Sequence, residues 1–424
     1  MKVFEFFEYI RTFGLLSSVG LLDFDDRVTF LLSAIVLLVC SLVIGAKEYF
    51  TKSISCMLLH KFITPFTMMD AQMIESYCWV TGVYPLRMTE PLPDVSDEWL
   101  LKHPTIIRYY LWVPLLLALQ ALLCYLPKAL FDLICFSRSA YCLSFIAVSA
   151  REASLLSPAR RAERVDELAT CLADLLVASR EYRQGRAVKW ATAVHRCLPW
   201  CPISKRFGNY TFVMYLVTKL AGLAVLLLQL ELMRQFLGFQ SLSYGAELMR
   251  NITMGLDWEI TMVLPRLGAC RFSFPDRTSV ISITPYCTIS SNIFTEKVYI
   301  ILWFYFVLAA IVNSASILLW LRRFLLTRSR CQCLRSLIRG CGCPRTDQDE
   351  TWLERFEFEF IRIDGLFFLW MIRLNCGHIV TGEIVRNIFC DFVRKMERSG
   401  GSGGARGAEA SLTDSTVATE QYHL

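Results

Sequence analysis

The chain has 424 residues, of which 54% are hydrophobic and only 19% are charged. Soluble domains average about 25% charged residues, so this composition favours a membrane protein over a soluble enzyme. The net charge of +6 is modest, and the sequence has no basic stripe with interleaved aromatic residues, which argues against a nucleic-acid-binding protein.

The N-terminal segment, residues 1–27, carries a helical pattern. Its apolar side chains recur at the spacing of one helix face, and its charged side chains fall largely elsewhere. The apolar positions are Val3, Phe6, Phe7, Ile10 and Phe13. The pattern predicts an amphipathic helix that lies on a membrane surface or packs against the first span.

Four apolar stretches approach or exceed the roughly 20 residues that a membrane-spanning helix needs. Trp and Tyr residues cluster near several of their ends, as is typical of interfacial anchors. In the second stretch, Pro114 and Pro127 predict a kinked or divided helix. The predicted spans cover residues 28–46, 109–131, 208–238 and 298–321.

The distribution of Lys and Arg predicts the side of the membrane on which each connection lies. Basic residues are dense between spans two and three and after span four, and sparse in the other two connections. The positive-inside rule therefore places both termini and the middle connection in the cytoplasm. The predicted parts are two extracellular loops (47–108 and 239–297), a helical cytoplasmic loop (132–207), a helical C-terminal region (322–398) and a disordered tail (399–424).

This topology sorts the 17 cysteines. Cytoplasmic thiols are expected to stay reduced, whereas an oxidising exterior favours disulfides. Each predicted extracellular loop holds two cysteines, Cys56 and Cys78 in the first and Cys270 and Cys287 in the second. Four cysteines allow three pairings, and the sequence does not choose among them. The second loop also contains a glycosylation acceptor at Asn251.

Charged residues inside the third apolar stretch need a partner. Lys219 lies well within it, where a charge costs about 2.5–3.5 kcal/mol on insertion scales. Its side chain is therefore expected to face protein or water, or to extend towards the inner interface. Near the other end, Glu231 and Arg234 are three residues apart and can pair along one helix face.

The predicted cytoplasmic regions contain two amphipathic helices. The first begins at Ser157 and Pro158, an N-cap followed by proline at the first helical position. Its apolar stripe consists of Val165, Leu168, Leu172, Leu175 and Leu176. The second stripe consists of Ile384, Val385, Ile388, Phe389, Phe392 and Val393. We predict that the two stripes pack together in a helical dome, whose basic surface is solvated or meets anionic lipid.

Motifs for catalysis or metal binding are absent from the sequence. It has no Gly-rich phosphate loop, no G-x-S-x-G elbow and no H-E-x-x-H motif, and its five histidines form no ligand pair. Cys331, Cys333, Cys341 and Cys343 follow span four with C-x-C spacing, which differs from the usual C-x2-C of zinc sites. Reduced or palmitoylated thiols are the alternatives. We predict no catalytic residue, no cofactor and no metal site.

Four sequence blocks resemble the innexins, the invertebrate gap-junction proteins related to pannexins. They are YCWVTGVY around Cys78, YYLWVP at the second span, NIFTEKVYIILWFYF leading into the fourth, and FIRIDGLFFLWMI with its Asp364–Gly365 pair. The motif residues in the second and third blocks are Tyr109, Tyr110, Trp112, Pro114, Glu296, Lys297 and Trp303. Leu111 replaces the glutamine, and Val83 the threonine, that are usual in this family. The resemblance covers residues 1 to about 397.

The resemblance implies an all-α membrane fold with four transmembrane helices, an N-terminal pore helix, a helical cytoplasmic dome and two disulfide-stapled extracellular loops with short strands. The disulfides would tie the first loop to the second. The N-terminal helix would then form a funnel at the pore mouth, which we favour over a helix on the inner leaflet, and Lys219 would serve a structural contact. The implied pore-lining residues are Lys2, Val3, Phe4, Glu5 and Glu8, with Lys47 and Glu48 towards the outer end.

The implied function is a large-pore gap-junction channel of the plasma membrane that passes ions and small solutes between cells. Like subunits would form a homo- or hetero-oligomer, in contact with membrane lipids, that docks with a hemichannel on the apposed cell. Two alternatives remain open at this point. One is a non-junctional hemichannel, in which a glycan on Asn251 obstructs docking, and the other is a membrane scaffold or adhesion protein without a channel.

Overall fold

The computed structural model describes residues 23–57, 68–86, 106–136, 140–178, 209–237, 239, 241–254, 264–275, 280–339 and 349–400. Within these residues the chain is mostly helical, and four helices are long and apolar enough to cross a membrane. The predicted all-α fold with four spans is therefore confirmed. The predicted N-terminal pore helix lies outside the described residues.

The helices and strands that the structure describes are numbered in chain order. The helices are α1 (Phe24–Phe50), α2 (Met68–Thr81), α3 (Val113–Phe136, after a 3-10 turn Tyr109–Trp112), α4 (Ala140–Ala153), α5 (Pro158–Ala178), α6 (Tyr210–Phe236), α7 (Tyr244–Thr253), α8 (Ser290–Leu325), α9 (Thr327–Arg339), α10 (Asp349–Arg355, continued by a π-helix Phe356–Ile361), α11 (Arg362–Cys376) and α12 (His378–Gly400). The strands are β1 (Ile54–Met57), β2 (Tyr84–Leu86), β3 (Leu267–Ala269), β4 (Phe272–Pro275), β5 (Val280–Ile283) and β6 (Tyr286–Ile289).

Helices α1 and α8 begin before their predicted spans and end after them, α3 ends after its predicted span, and α6 lies within its own. Helix α1 begins earlier because Asp23 caps it: the Asp23 carboxylate accepts the Phe24 N–H at 2.8 Å, and the Asp26 carboxylate accepts the Asp23 N–H at 3.1 Å. Such a capping box satisfies backbone donors that the first helical turn leaves open. Helix α8 begins at Ser290, about two turns before the apolar run, because hydropathy marks the lipid-facing part of a helix and not its ends.

The two prolines of the second span do not divide it. Helix α3 runs without interruption from Val113 to Phe136, with Pro127 inside it. Pro114 lies in the first turn, where a missing N–H costs nothing because that donor has no partner within the helix. The predicted division of the helix is therefore wrong, because Pro114 lies where the helix begins, and the alternative, a kink, stays a prediction.

The chain divides into two compact units. The sheet-bearing unit consists of residues Val28–Lys128 and Leu220–Ser314. Its largest core is formed by apolar side chains of α1, α3, α6, α7 and α8 that pack against one another; they include Leu37, Val113, Leu117, Leu226 and Phe306. Its four-stranded sheet has the order β1-β6-β3-β2, and all of its pairings are antiparallel. Strands β4 and β5 form a separate hairpin.

The all-helical unit consists of residues Met1–Arg27, Ala129–Lys219 and Ala315–Leu424, and its described part contains helices but no strand. Helix α5 begins at Pro158, as the sequence predicts. The two predicted stripes meet in one core: Leu172 of α5 and Ile384 of α12 are fully buried there. Packing of the two stripes is therefore confirmed. Helix α11, too short to span a membrane, contributes the buried Phe367 and Ile372 to the same core.

Candidate functional site

Two disulfides join the first interspan segment (residues 51–108, between α1 and α3) to the second interspan segment (residues 237–289, between α6 and α8). Cys56 of β1 is bonded to Cys287 of β6, and the two residues are direct partners in the antiparallel register. Cys78 of α2 is bonded to Cys270, which follows β3. All four cysteines that the sequence places outside the membrane are thus paired, and each bond crosses between the segments.

The disulfides form the centre of a small core. Cys78 and Cys287 are fully buried and Cys270 is 1% exposed, among apolar side chains that include Ile74 and Val83. The sulfurs of Cys56, Cys78 and Cys287 lie within 4.8 Å of one another. This group does not resemble a metal site, because metals bind cysteine as thiolate and these sulfurs belong to disulfides.

The block around Cys78 packs against the start of the second span. The Trp79 ring stacks on the Tyr110 ring with centroids 4.1 Å apart, and the Tyr110 hydroxyl donates to the Trp79 carbonyl at 2.8 Å. Between them Gly82 has φ +94°, and a Cβ there would lie 2.5 Å from a methyl carbon of Ile106. Only glycine fits this turn without strain. The turn therefore fixes the disulfide-linked layer to the start of α3.

The third block closes the same cluster from α8. The buried Asn292 donates its side-chain amide to the Tyr109 hydroxyl at 3.0 Å and to the Pro265 carbonyl at 2.9 Å. Glu296 lies 3.7 Å from Arg266 of the second interspan segment. Three blocks that are distant in the sequence thus meet at the base of the four-stranded sheet.

Trp303 anchors α7 to α8. Its ring N–H donates to the Leu242 carbonyl at 3.0 Å, and its ring lies over Gly245. A Cβ at Gly245 would come within 2.2 Å of the indole, so the helix approach requires glycine. This contact holds α7 of the second interspan segment to the N-terminal half of α8.

A buried polar cluster lies in the all-helical unit at the start of α1. We call it the Asp–Lys cluster; it consists of Asp25, Asp26, Tyr215, Lys219 and Ser316. The ammonium of Lys219 contacts Asp25 at 2.5 Å, Asp26 at 3.0 Å and Ser316 at 3.1 Å, and its side chain is fully buried. The Tyr215 hydroxyl donates to Asp26 at 2.6 Å. The expectation that Lys219 serves a structural contact is confirmed.

The Asp–Lys cluster joins three spanning helices through charged groups. Two carboxylates face one ammonium, so the hydroxyl of Tyr215 and the N-terminal dipole of α1 must stabilise the remaining negative charge. Next to the cluster, the Trp320 ring N–H donates to the Asp23 carboxylate at 3.0 Å. The first turn of α1 is thereby held against α6 and α8, immediately after residues 1–22, which lie outside the described residues.

The Asp364–Gly365 pair of the fourth block caps the third span. The Asp364 carboxylate accepts the Phe212 N–H at 3.0 Å and further backbone hydrogen bonds from Thr211 and Tyr210. These are the open donors of the first turn of α6. Burial raises the pKa of Asp364 to about 6, although the three N–H donors lower it. A Cβ at Gly365 would lie 3.0 Å from Leu176, so glycine lets α11 approach α5 closely.

The remaining candidate residues differ from one another in position and in exposure. Lys2, Val3, Phe4, Glu5 and Glu8 lie outside the described residues. Lys47 is partly exposed, whereas Glu48 beside it is buried at 8% exposure. Asn251 belongs to α7. Trp112 is 61% exposed, and Lys297 is half exposed with its ammonium 3.9 Å from Glu296.

Two contacts of this site were not predicted from the sequence: the carboxylate partners of Lys219 and the capping role of Asp364. Asp23, Asp25 and Asp26 stand directly before the first apolar stretch, and Lys219 stands inside the third. A buried lysine needs a counter-charge, so pairing an acidic run at one span end with this lysine was possible from the sequence. The capping role of Asp364 left no such signal, because it joins residues 152 positions apart.

Comparison with known proteins gives one consistent result. A family model described as Innexin matches residues 23–392. Over 373 residues the chain is 26% identical to Innexin unc-9 of Caenorhabditis elegans. The alignment covers 87% of this chain and 92% of that protein. It is also 26% identical over 371 residues to Innexin-3 of Caenorhabditis elegans (87% and 83%) and 24% identical over 393 residues to Innexin-19 of Caenorhabditis briggsae (87% and 86%).

Proposed function

This chain belongs to the innexin family and is a gap-junction channel subunit; we propose that it passes ions and small solutes between cells through an oligomeric pore, without catalysing a reaction. Homomeric and heteromeric assemblies with like subunits are both compatible with the proposal. The observation that carries it is the disulfide-linked sheet, in which described strands of both interspan segments pair with one another.

We propose that both interspan segments face the exterior and that both termini face the cytoplasm. The distribution of basic residues supports this orientation. The state of the cysteines supports it as well: both disulfides belong to the interspan segments, while Cys333, Cys376 and Cys390 of the all-helical unit are thiols. Disulfides persist in oxidising compartments, and cytosolic thiols stay reduced.

In this orientation the sheet would dock with the same surface of a hemichannel on the apposed cell. Docking presents a repeated surface to its own copy, which requires a fixed arrangement of the segments that form it. Strand order β1-β6-β3-β2 brings strands of both segments into one sheet, and the disulfides hold β1 on β6 and α2 beside β3. The described strands of the two interspan segments thereby belong to one sheet.

We propose that the pore is lined by the N-terminal residues Lys2, Val3, Phe4, Glu5 and Glu8, as the family resemblance implies. The Asp–Lys cluster supports this assignment because it holds the first turn of α1, which follows these residues in the sequence, against α6 and α8. Towards the outer end, Glu48 is buried within the subunit, so of the Lys47–Glu48 pair only Lys47 offers side-chain surface to a pore.

Recording from paired cells tests the junctional function. In cells that express the chain, we expect conductance and dye transfer across the contact, and replacement of Cys78 by serine should abolish both. Serine at Cys171, an exposed residue of α5, should leave them unchanged. Surface labelling in the same cells shows whether each variant reaches the membrane. Coupling by a surface-expressed Cys78→Ser variant would contradict the role given to the sheet.

A non-junctional hemichannel is the second candidate, and Asn251 favours it. This glycosylation acceptor belongs to α7 of the second interspan segment, and a glycan on a segment that takes part in docking would obstruct it. Treatment of surface protein with glycosidase, followed by dye transfer between paired cells, separates the candidates. A glycosylated chain that takes up dye in single cells but never couples pairs supports the hemichannel, and absence of both activities supports a membrane scaffold.

A further inference from the structure

A cavity of about 270 Å³ lies in the all-helical unit where the fourth span ends. It is enclosed by residues of α8, α9 and α11. Three of the residues that line it are arginines and none is acidic. We call it the arginine pocket and use six of its residues: Arg323, Ser329, Arg330, Ser336, Trp370 and Arg373.

The three arginines differ in their charge balance. Arg330 lies 3.2 Å from the carboxylate of Glu357, a side chain that is 5% exposed, and also donates to the Phe324 carbonyl at 2.8 Å. Arg323 and Arg373 have no carboxylate within ion-pair distance among the residues that the structure describes. Beyond ion-pair distance, the carboxylate of Asp23 also interacts electrostatically with Arg323. The pocket therefore carries positive charge in excess of the charge that Glu357 balances, most clearly at Arg373.

The guanidinium groups of Arg323 and Arg373 contact the same indole. The guanidinium carbon of Arg323 lies 4.6 Å from the centre of the Trp370 ring, and that of Arg373 lies 5.0 Å from it. A cation–π contact attracts each cation to the ring, but it does not neutralise charge. Two like charges at one ring repel each other, so an anion in the cavity that both arginines line would stabilise the arrangement.

The indole N–H of Trp370 gives an independent indication of a missing acceptor. This nitrogen is buried, and no described residue accepts a hydrogen bond from it. A buried donor without an acceptor destabilises the fold. Trp370 also lines the pocket, so a residue with an unmatched donor lies beside excess positive charge, and a ligand with several anionic oxygens would supply both the negative charge and acceptors.

We propose that the arginine pocket binds a phosphate group. A phosphate monoester carries nearly two negative charges at neutral pH, which complements the excess positive charge of the pocket. Guanidinium groups bind its oxygens in bidentate geometry, and Ser329 and Ser336, whose hydroxyl is also 3.3 Å from a ring nitrogen of His378, line the wall. Arg322 and Arg323 are the first charges after the apolar run of α8, so the pocket lies at the membrane surface. The phosphate could belong to a lipid headgroup or to a soluble phosphate ester.

Binding to the purified full-length chain tests the proposal without reference to channel activity. The thermal unfolding midpoint would be measured in detergent micelles that contain a phosphorylated phosphatidylinositol, phosphatidylcholine alone, or phosphatidylcholine with soluble inositol phosphate or inorganic phosphate in the buffer. We expect the midpoint to rise with at least one phosphate probe and not with phosphatidylcholine. A response to the lipid alone identifies a headgroup, and a response to a soluble probe identifies a free phosphate.

Variants locate the site. The double variant Arg323→Gln/Arg373→Gln should bind at least tenfold more weakly, because charge-assisted hydrogen bonds contribute about 1.5–3 kcal/mol each. Arg322→Gln, a neighbour on the same helix that does not line the cavity, should bind like the unmodified chain. If the double variant fails to fold, Trp370→Phe decides, since it keeps an aromatic ring and removes the N–H; we expect a severalfold loss. Equal binding by these pocket variants, equal loss in Arg322→Gln, or no response to any phosphate probe would overturn the proposal.

Discussion

Lys219 shows what a single charge costs inside this bundle. Its ammonium is the only group of the Asp–Lys cluster that carries positive charge, and Asp25 and Asp26 are nearly as buried as it is. Replacing Lys219 by methionine would leave both carboxylates without a counter-charge. Breaking a buried ion pair by removing one partner typically costs about 3–5 kcal/mol. We therefore expect Lys219→Met to lower the unfolding midpoint of the purified chain strongly.

The matched control for this variant is Lys395→Met on the exposed surface of α12, which should leave the midpoint unchanged. The triple variant Asp25→Asn/Asp26→Asn/Lys219→Met should recover much of the loss, because it removes all three charges together. A Lys219→Met protein as stable as the unmodified chain would mean that the cluster carries no net charge interaction.

At the scale of the elements, the cap of α6 by Asp364 makes a prediction about pH. The folded state holds the Asp364 proton up to about pH 6, whereas an unfolded aspartate releases it near 3.8. Between these values the folded state binds more protons, so this residue stabilises the fold fully below about pH 3.8 and loses that contribution as pH rises through about 6. Asp364→Asn should lack this component, and the difference in unfolding midpoint between pH 5 and pH 7 measures it.

The Asp364 cap also predicts different stabilities for the Asp364→Asn and Asp364→Ala variants. The asparagine side chain of the Asp364→Asn variant would still accept backbone N–H groups of α6 through its carbonyl oxygen, so the helix start should form at every pH. Asp364→Ala removes the acceptor, and loss of an N-cap typically costs about 0.5–2 kcal/mol. If alanine and asparagine gave the same midpoint at pH 7, the carboxylate would not be capping α6.

The positions of the long helices were the most predictable part of this structure. Hydropathy located the four spans, and the period of the apolar residues located the buried faces of α5 and α12, because both patterns are local. The helix ends were less predictable: Asp23 extends α1 through a capping box that lies outside the apolar run. The short strands β1, β3 and β6 have no reliable local signal, since they are stabilised by pairing across distant segments.

At the scale of the whole molecule, the two disulfides close long stretches of chain. Their partners are 231 and 192 residues apart in sequence. In the chain-entropy model each bond would contribute roughly 5 kcal/mol, and less in a membrane, where inserted spans already restrict the unfolded chain. Both bonds belong to the sheet-bearing unit, whereas the core of the all-helical unit is formed by apolar packing.

Reduction should therefore affect the two units differently. After treatment with a membrane-permeant reductant, we expect hydrogen exchange to accelerate at β1, α2 and β6, and to stay slow at the buried faces of α5 and α12. Peptide-resolved exchange is measured by mass spectrometry with and without the reductant. Each sample then reports the exchange rates of both units. Equal acceleration in both units would indicate that they unfold together.

The strand order β1-β6-β3-β2 also determines when the sheet can form during synthesis. Cys56 is translated 231 residues before its partner, a delay of roughly 10 to 50 seconds at about 5–20 residues per second. During most of that interval, before the second interspan segment has been synthesised, Cys56 and Cys78 are two thiols of the same segment, each able to oxidise with the other. A premature bond between them must be reopened by thiol–disulfide exchange before the native pairs can form. Maturation of this subunit is therefore expected to depend on a disulfide isomerase that acts once Cys270 and Cys287 of the second interspan segment have been synthesised.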